Sequence, residues 1–213
     1  MMSLPPAVIF DWDNTLVNSW GAITAALNKV RAMKGLETWS VEEAPHRSAR
    51  PLRVSFPEWF GDEWERMRDI FYAHYKEIHL KELKIMSGAQ ELISWLAQQD
   101  VPLFVVSSKD GTGLRAEVEH LGWSPYFKGV IGSTDVPHDK PHRQAVEAAL
   151  HKGTLRPEDP AIWFVGDTAL DVETALRSGL TPVLISGADF AASLGIKLHF
   201  RDCHSMKSYL SKG

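Results

Sequence analysis

The sequence predicts an α/β fold, a mainly parallel sheet with helices on both faces, with a small all-α domain inserted after the first strand. Three observations carry that expectation. Short apolar runs rich in β-branched residues, at 8–10, 101–106, 129–132, 161–165 and 181–185, have the two-sided apolar character of strands buried in a parallel sheet. From Ser87 onward these runs are separated by helix patterns of about a dozen residues, the spacing of right-handed crossovers. The stretch between the first run and Ser87 holds helix patterns and no convincing strand. The expected domains are a core of residues 1–17 and 86–213 and a helical cap of residues 18–85. Leaving just after the first strand, the cap is expected above the sheet's C-terminal edge as a lid.

Taken in order, Val8-Ile9-Phe10 stops at Asp11-Trp12-Asp13-Asn14-Thr15. Two carboxylates at i and i+2 then stand at the C-terminal edge, where open α/β sheets bind ligands. They repel one another unless a cation neutralises them, which points to a hard metal such as Mg2+ with oxygen ligands. The alternative is that both acids only cap the loop into the next helix. A helix over 20–34 follows, with Ile23, Leu27, Val30 and Met33 on one face, Ser19 as N-cap and Gly35 as stop. Ser40-Val41-Glu42-Glu43 and Ser55-Phe56-Pro57-Glu58 match the capping box and predict short helices starting at each. A longer helix over 62–79 turns Trp64, Met67, Phe71, Tyr75 and Ile78 inward. The aromatic content of this block reads as helical core packing.

Ser87-Gly88-Ala89-Gln90 is a further capping box, opening a helix that buries Leu92, Ile93 and Leu96. The strand at 101–106 ends in Ser107-Ser108-Lys109, and a helix carrying Leu114, Val118 and Leu121 stops at Gly122. After the strand at 129–132 a polar loop leads to Lys140-Pro141 and a helix over 142–151. The strand at 161–165 ends in Gly166-Asp167, with a helix stopping at Gly179 before the strand at 181–185. Beyond Gly187 the pattern predicts a short helix, a strand near 198–200 and a last helix from Ser205.

Composition bounds the function classes. A chain of 213 residues with 44% hydrophobic and 23% charged residues is long enough for a sizeable core and does not resemble a disordered one. Its formal net charge of −4 gives no general footprint for nucleic acid or an anionic membrane. The single cysteine, Cys203, excludes an internal disulfide framework and suits a reducing cytosol. The first residues lack a signal-peptide pattern and no uncharged run is long enough to span a bilayer, so a soluble, cytoplasmic protein is expected.

The chemistry gathers where strands end. Asp11 and Asp13 follow the first strand, Ser107 the second and Asp167 the fourth, while Lys140 is expected to begin the helix after the third. Parallel strands put their C-terminal ends on one side, so these groups can converge. Asp167 and Asp171 form a second acidic pair at i and i+4, one helical turn apart on one face. Acids favoured by the helix dipole would look the same. Each residue alone has such a bland explanation; together they describe a crevice whose four carboxylates need a divalent cation.

These residues resemble the haloacid dehalogenase superfamily of hydrolases, in its phosphoglycolate phosphatase-like branch with a helical cap. Asp11-x-Asp13-x-Thr15-Leu16-Val17 looks like the first motif of that family and Val105-Val106-Ser107-Ser108-Lys109 like the second. Asp139-Lys140-Pro141-His142 looks like the third and Gly166-Asp167-Thr168-x-x-Asp171 like the fourth. The resemblance implies a Rossmann-like sheet and Mg2+ held by Asp11, by the backbone carbonyl of Asp13 and by Asp167, with Asp171 in support. It implies that Asp11 attacks phosphorus, that Asp13 serves as acid and then base, that Ser107 binds a phosphoryl oxygen, and that Lys140 supplies positive charge. Asp13 argues for phosphate esters over carbon–halogen bonds, since a halide needs no proton on leaving. One departure is Ser107-Ser108 where relatives often have Thr-Asn; it is mild for Ser107, and Ser108 could affect selectivity.

Substrate contacts are expected from Ser107, Ser108, Lys140 and one of Arg47 and Arg50. Those arginines lie in a cap loop that either clamps a second anionic group or is a solvated basic loop. His138, Asp139 and His142 lack the further histidines a transition-metal site would need, and Trp12 is expected to pack against cap or sheet. The expectation is a Mg2+-dependent phosphatase acting on a small phosphorylated metabolite, a monomer or homodimer without nucleic-acid or membrane partners. Its rivals are a phosphomutase of the same fold, similar to β-phosphoglucomutase, and a non-catalytic phospho-ligand-binding protein.

Overall fold

A computed structural model of the protein describes residues 4–48, 52–153, 155–156, 158–186 and 188–212. In chain order its first elements are β1 (Val8–Phe10), β2 (Val17–Asn18), α1 (Trp20–Met33), α2 (Ala44–Arg47), α3 (Leu52–Phe60), α4 (Trp64–Glu82) and β3 (Lys84–Ile85). There follow α5 (Ala89–Gln98), β4 (Leu103–Val106), α6 (Gly111–His120), β5 (Phe127–Ile131), α7 (Gln144–His151) and β6 (Trp163–Gly166). The last are α8 (Ala169–Arg177), β7 (Thr181–Ile185), α9 (Ala188–Ser193), β8 (His199–Phe200) and α10 (Cys203–Leu210). The chain divides into two compact units, one of residues up to Val17 and from Ile85 onward, the other Asn18–Lys84.

The first unit is built on a six-stranded sheet in the order β5-β4-β1-β6-β7-β8, with every pairing parallel. The central strand, β1, is wholly buried, with Ile9 in register with Phe104 on one side and Phe164 on the other. On one face Ile9, Phe104, Val106 and Phe164 pack with Val146, Ala149 and Leu150 of α7 and Ala175 of α8. The alternate positions Val8, Phe10, Leu103 and Val105 are just as buried, so the second face is covered too, and α5 lies against β4 and α10. That two-sided cover is why the strands read as continuous apolar runs rather than alternating ones. The chain steps outward from β1 to β4 and β5, then returns to β6 and steps outward the other way. The order reverses at β1, which opens a crevice at the C-terminal ends of β1, β4 and β6.

The second unit is helical. Leu27, Val30, Phe56, Phe60, Met67 and Phe71 form its buried centre together with Trp39; Trp59, Trp64 and Tyr75 pack against it partly buried, and Tyr72 is exposed. Ser40 and Glu43 exchange the expected reciprocal bonds, each backbone N–H donating to the other's side chain at 2.9 and 3.2 Å, but they close a turn, and the helix starts only at Ala44. Gly35, at φ +66°, ends α1 in the left-handed conformation. Among the described residues, no helix is long and apolar enough to cross a membrane.

Several local expectations are corrected. Ser19 makes no side-chain cap, because its backbone is not in the extended region a cap needs; Asn18 Oδ1 accepts the Trp20 N–H instead, at 2.9 Å. Met33 is 51% exposed: at about 100° per residue it lies roughly 120° round the helix from Leu27. Ser55 does not start a helix, since α3 already begins at Leu52 and Ser55 lies buried inside it. At α5 the cap position falls to Gly88, at φ +78°, so no side chain caps the helix and Ser87 lies one residue too early. Lys140 does not begin α7, which starts at Gln144; it stands in the loop before it.

Candidate active site

The end of β1 is fixed by its neighbour, the Asp11 N–H donating to Val165 O of β6 at 2.8 Å. The chain then turns sharply. Asn14 takes φ +62°, a conformation asparagine tolerates, and its N–H donates to Val17 O at 2.6 Å, while Leu16 and Val17 both donate to Trp12 O. Thr15, buried by this turn, donates its hydroxyl to Asp167 Oδ1 at 3.1 Å, which ties the loop after β1 to the end of β6.

Asp167 is not on a helical face with Asp171, because it precedes the N-cap, Thr168, and so lies outside α8. Asp171 folds back instead. Its Oδ2 accepts from Thr168 Oγ1 at 2.6 Å and from the N–H groups of Thr168 and Asp167 at 3.0 and 3.2 Å, a reciprocal capping box. Gly166 makes room for this: a Cβ there would overlap the Asp171 carboxyl group. Oδ1 of Asp171 receives Lys140 Nζ at 2.7 Å, and the same ammonium donates to Asp11 Oδ1 at 2.6 Å. Carboxylate oxygens of Asp11, Asp167 and Asp171 all lie within 4.8 Å of one another.

The electrostatics follow from burial. Desolvation pushes the Asp11 carboxyl well above its ordinary value; Lys140 pulls it down, and Asp171 and Asp167 push it up again. Burial and then the Asp171 charge raise Asp167 to about 7, against the Thr15 hydrogen bond and Lys140. Burial opposes the charge on Lys140, but Asp11 and Asp171 overcome it and hold the ammonium above the usual lysine range. The buried Asp11 and Asp171 thus share one ammonium, with the partly buried Asp167 beside them. A set of oxygen donors with excess negative charge fits a hard divalent cation, and this cluster could hold one.

The other residues expected at the site are placed as follows. Ser107, buried at the end of β4, donates its N–H to Ile131 O, and its Oγ accepts the Lys109 N–H at 3.2 Å. Ser108 is exposed. The Asp13 side chain stands apart from the carboxylate cluster, its Oδ1 accepting from Lys109 Nζ at 2.9 Å. Lys109 in turn bonds Glu117, and Glu117 accepts the Trp12 indole N–H at 2.6 Å, so Trp12 packs within the sheet unit. Glu117 was not foreseen, although a charged residue among Leu114, Val118 and Leu121 is the visible sign that a buried partner is needed. Arg47 pairs with Glu43 at 2.8 Å and Glu37 at 3.6 Å within the helical unit; Arg50 lies outside the described residues. The His138 and His142 rings lie 5.0 Å apart, tilted at 46°.

Comparison with known proteins agrees with this geometry. The family model described as haloacid dehalogenase-like hydrolase matches residues 8–185. The phosphoglycolate phosphatase of Rhodospirillum rubrum is 30% identical, the match covering 97% of this chain and 91% of that protein. That of Pectobacterium atrosepticum is 29% identical over 82% of this chain and 77% of its own length. A HAD-superfamily hydrolase from Ehrlichia chaffeensis superposes with a TM-score of 0.69 at 26% identity, covering 100% of this chain and 98% of that one. A haloacid dehalogenase-like family protein from Streptococcus pneumoniae shares the fold, with a TM-score of 0.81 at 22% identity over 95% of this chain and 97% of its own. The chain is therefore an enzyme that belongs to the haloacid dehalogenase-like hydrolases, on their phosphoglycolate phosphatase-like branch.

Proposed function

We propose that the protein is a cytosolic, Mg2+-dependent phosphatase that hydrolyses a small phosphomonoester through a phosphorylated Asp11. The observation that carries this reading is the Lys140 ammonium bridging Asp11 and Asp171 beside Asp167 at the ends of β1 and β6. Asp11, Asp167 and the Asp13 carbonyl would hold the cation, with Asp171 in support. When bound, Mg2+ supplies Lewis-acid stabilisation of phosphoryl charge.

Asp11 attacks phosphorus in line and becomes an aspartyl-phosphate as the alkoxide leaves. Lys140 keeps its charge throughout, offsetting that of the phosphoryl group and orienting the Asp11 oxygen. Ser107 donates its hydroxyl to a phosphoryl oxygen; among the described residues that O–H has no other acceptor. Asp13 protonates the leaving alkoxide, then takes a proton from the water that opens the acyl-phosphate and releases phosphate. The test is phosphate release from a panel of monoesters, including phosphoglycolate, sugar phosphates and nucleotides, with Mg2+ or with EDTA. Release that needs Mg2+ supports the reading, and the preferred ester names the substrate class. A phospho-aspartate that transfers to a sugar hydroxyl without releasing phosphate would overturn it in favour of a mutase. For the cap loop, substrate KM unchanged in both Arg47→Ala and Arg50→Ala would remove those residues from the binding site.

Metal binding should also depend on pH. The Asp167 carboxyl is raised from its ordinary 3.8 to about 7, so folding favours its protonated form. The stability this contributes is present below 3.8 and is lost as pH rises through about 7. Without metal, the melting temperature should fall over that window. Asp167 would bind a cation only in its deprotonated form, so the rise in melting temperature on adding Mg2+ should be larger at pH 8 than at pH 5. Equal Mg2+ shifts at both pH values would count against Asp167 as a ligand.

A further inference from the structure

The structure assigns Lys109 and Glu117 as the pair that positions Asp13 for proton transfer, an inference that rests on Asp13 being the proton donor. Asp13 stands on a loop with its side chain 28% exposed, where an unsupported carboxylate would sample several rotamers. Lys109 prevents this. Its Nζ, on a side chain 8% exposed, donates to Asp13 Oδ1 at 2.9 Å and to both oxygens of Glu117 at 2.8 and 2.6 Å.

Glu117 is fully buried on α6, anchored by the Trp12 indole N–H. The Trp12 ring is buried as well, edge-on to Trp123 at 5.7 Å and to Phe127 at 6.5 Å. One ion pair therefore grips the loop after β1 twice, by the side chain of Trp12 and by that of Asp13. Packing alone does not explain the pair, since a buried ion pair adds little net stability over an apolar pair of similar volume. Lys109, moreover, also bonds outward to the partly exposed Asp13 carboxylate. Glu117 offsets the charge of Lys109, so the ammonium meets Asp13 as an oriented donor. Fixing one carboxylate oxygen also fixes the direction of the other.

A positioned acid matters most for a poor leaving group. The test compares kcat/KM for the best alkyl monoester of the panel with that for p-nitrophenyl phosphate, whose phenolate leaves without a proton. The parameter kcat/KM ends at departure of the leaving group, so the later hydrolysis does not enter. Removing Lys109 alone would strand the buried Glu117 charge, so the main variant is Lys109→Met with Glu117→Gln, checked for an intact thermal transition. Its kcat/KM should fall about ten- to a hundredfold on the alkyl ester, carried by kcat, and by less than about threefold on the aryl ester. Lys109→Arg should recover part of the loss. Equal losses on both esters, or none on either, would overturn the positioning role. Asp13→Asn serves as the reference: if it too fails to discriminate between the esters, the proton-donor reading falls, and the inference with it.

Discussion

Asp11→Asn should abolish phosphate release, by about three orders of magnitude or more, and leave the fold intact. The amide keeps the shape of the carboxylate but cannot attack phosphorus, so no phosphorylated Asp11 can form. Stability should not suffer, because Asp11 is one of three carboxylates crowded within 4.8 Å, and burial already disfavours its charge. Lys140 keeps Asp171 as a partner at 2.7 Å, so no ammonium is stranded. Without metal, the variant should melt at or above the wild-type temperature. Rapid acid quench should recover phosphoryl group on the wild-type protein and none on the variant. A variant retaining a tenth of the turnover would show that the nucleophile lies elsewhere.

The parts of the molecule that could be read from sequence are those where one local rule decides. Val8-Ile9-Phe10 and Val183-Leu184-Ile185 are recognisable because stretches buried on both faces have no polar positions to blur them. The gathering of Asp11, Lys140 and Asp167 was legible because parallel strands place their C-terminal ends together, whatever the separation in sequence. Helix starts were harder. Ser40, Ser55 and Ser87 all carry the signature and none caps a helix: the Ser40–Glu43 bonds close a turn ahead of α2, because a capping box describes spacing and is silent about the backbone conformation of the cap. Gly88 takes that position at φ +78°, a choice set by the chain entering α5.

The support of Asp13 was hidden for a different reason. Lys109 is visible only as the residue after two serines, and Glu117 as a charge on the buried stripe of a helix eight positions on. Their partnership with Trp12 and Asp13 exists only once β1 and β4 lie side by side, with Phe10 in register with Val105. Asp167 and Asp171 show a related limit. Spacing suggested one helical face, whereas the chain puts Asp167 before the cap and lets Asp171 reach back across Gly166.

Lys140→Met should be costly twice over, and the two costs can be separated. The side chain is 3% exposed and is the ammonium bonded to both Asp11 and Asp171. Removing it leaves buried carboxylates without that counter-charge, a change of about 3–5 kcal/mol when one partner of a buried pair is lost. Turnover should fall by about a hundred- to a thousandfold, since nothing then offsets the charge on the phosphoryl oxygens from that side. Adding Asp171→Asn removes one stranded charge, and the amide oxygen can still accept from the Thr168 and Asp167 N–H groups that cap α8. The double variant should therefore recover much of the lost stability in urea unfolding and none of the lost turnover. Recovery of both would make Lys140 a purely structural counter-ion, with the phosphate charge met elsewhere. Recovery of neither would mean that Asp171 holds the site through its own negative charge rather than as the acceptor at the head of α8.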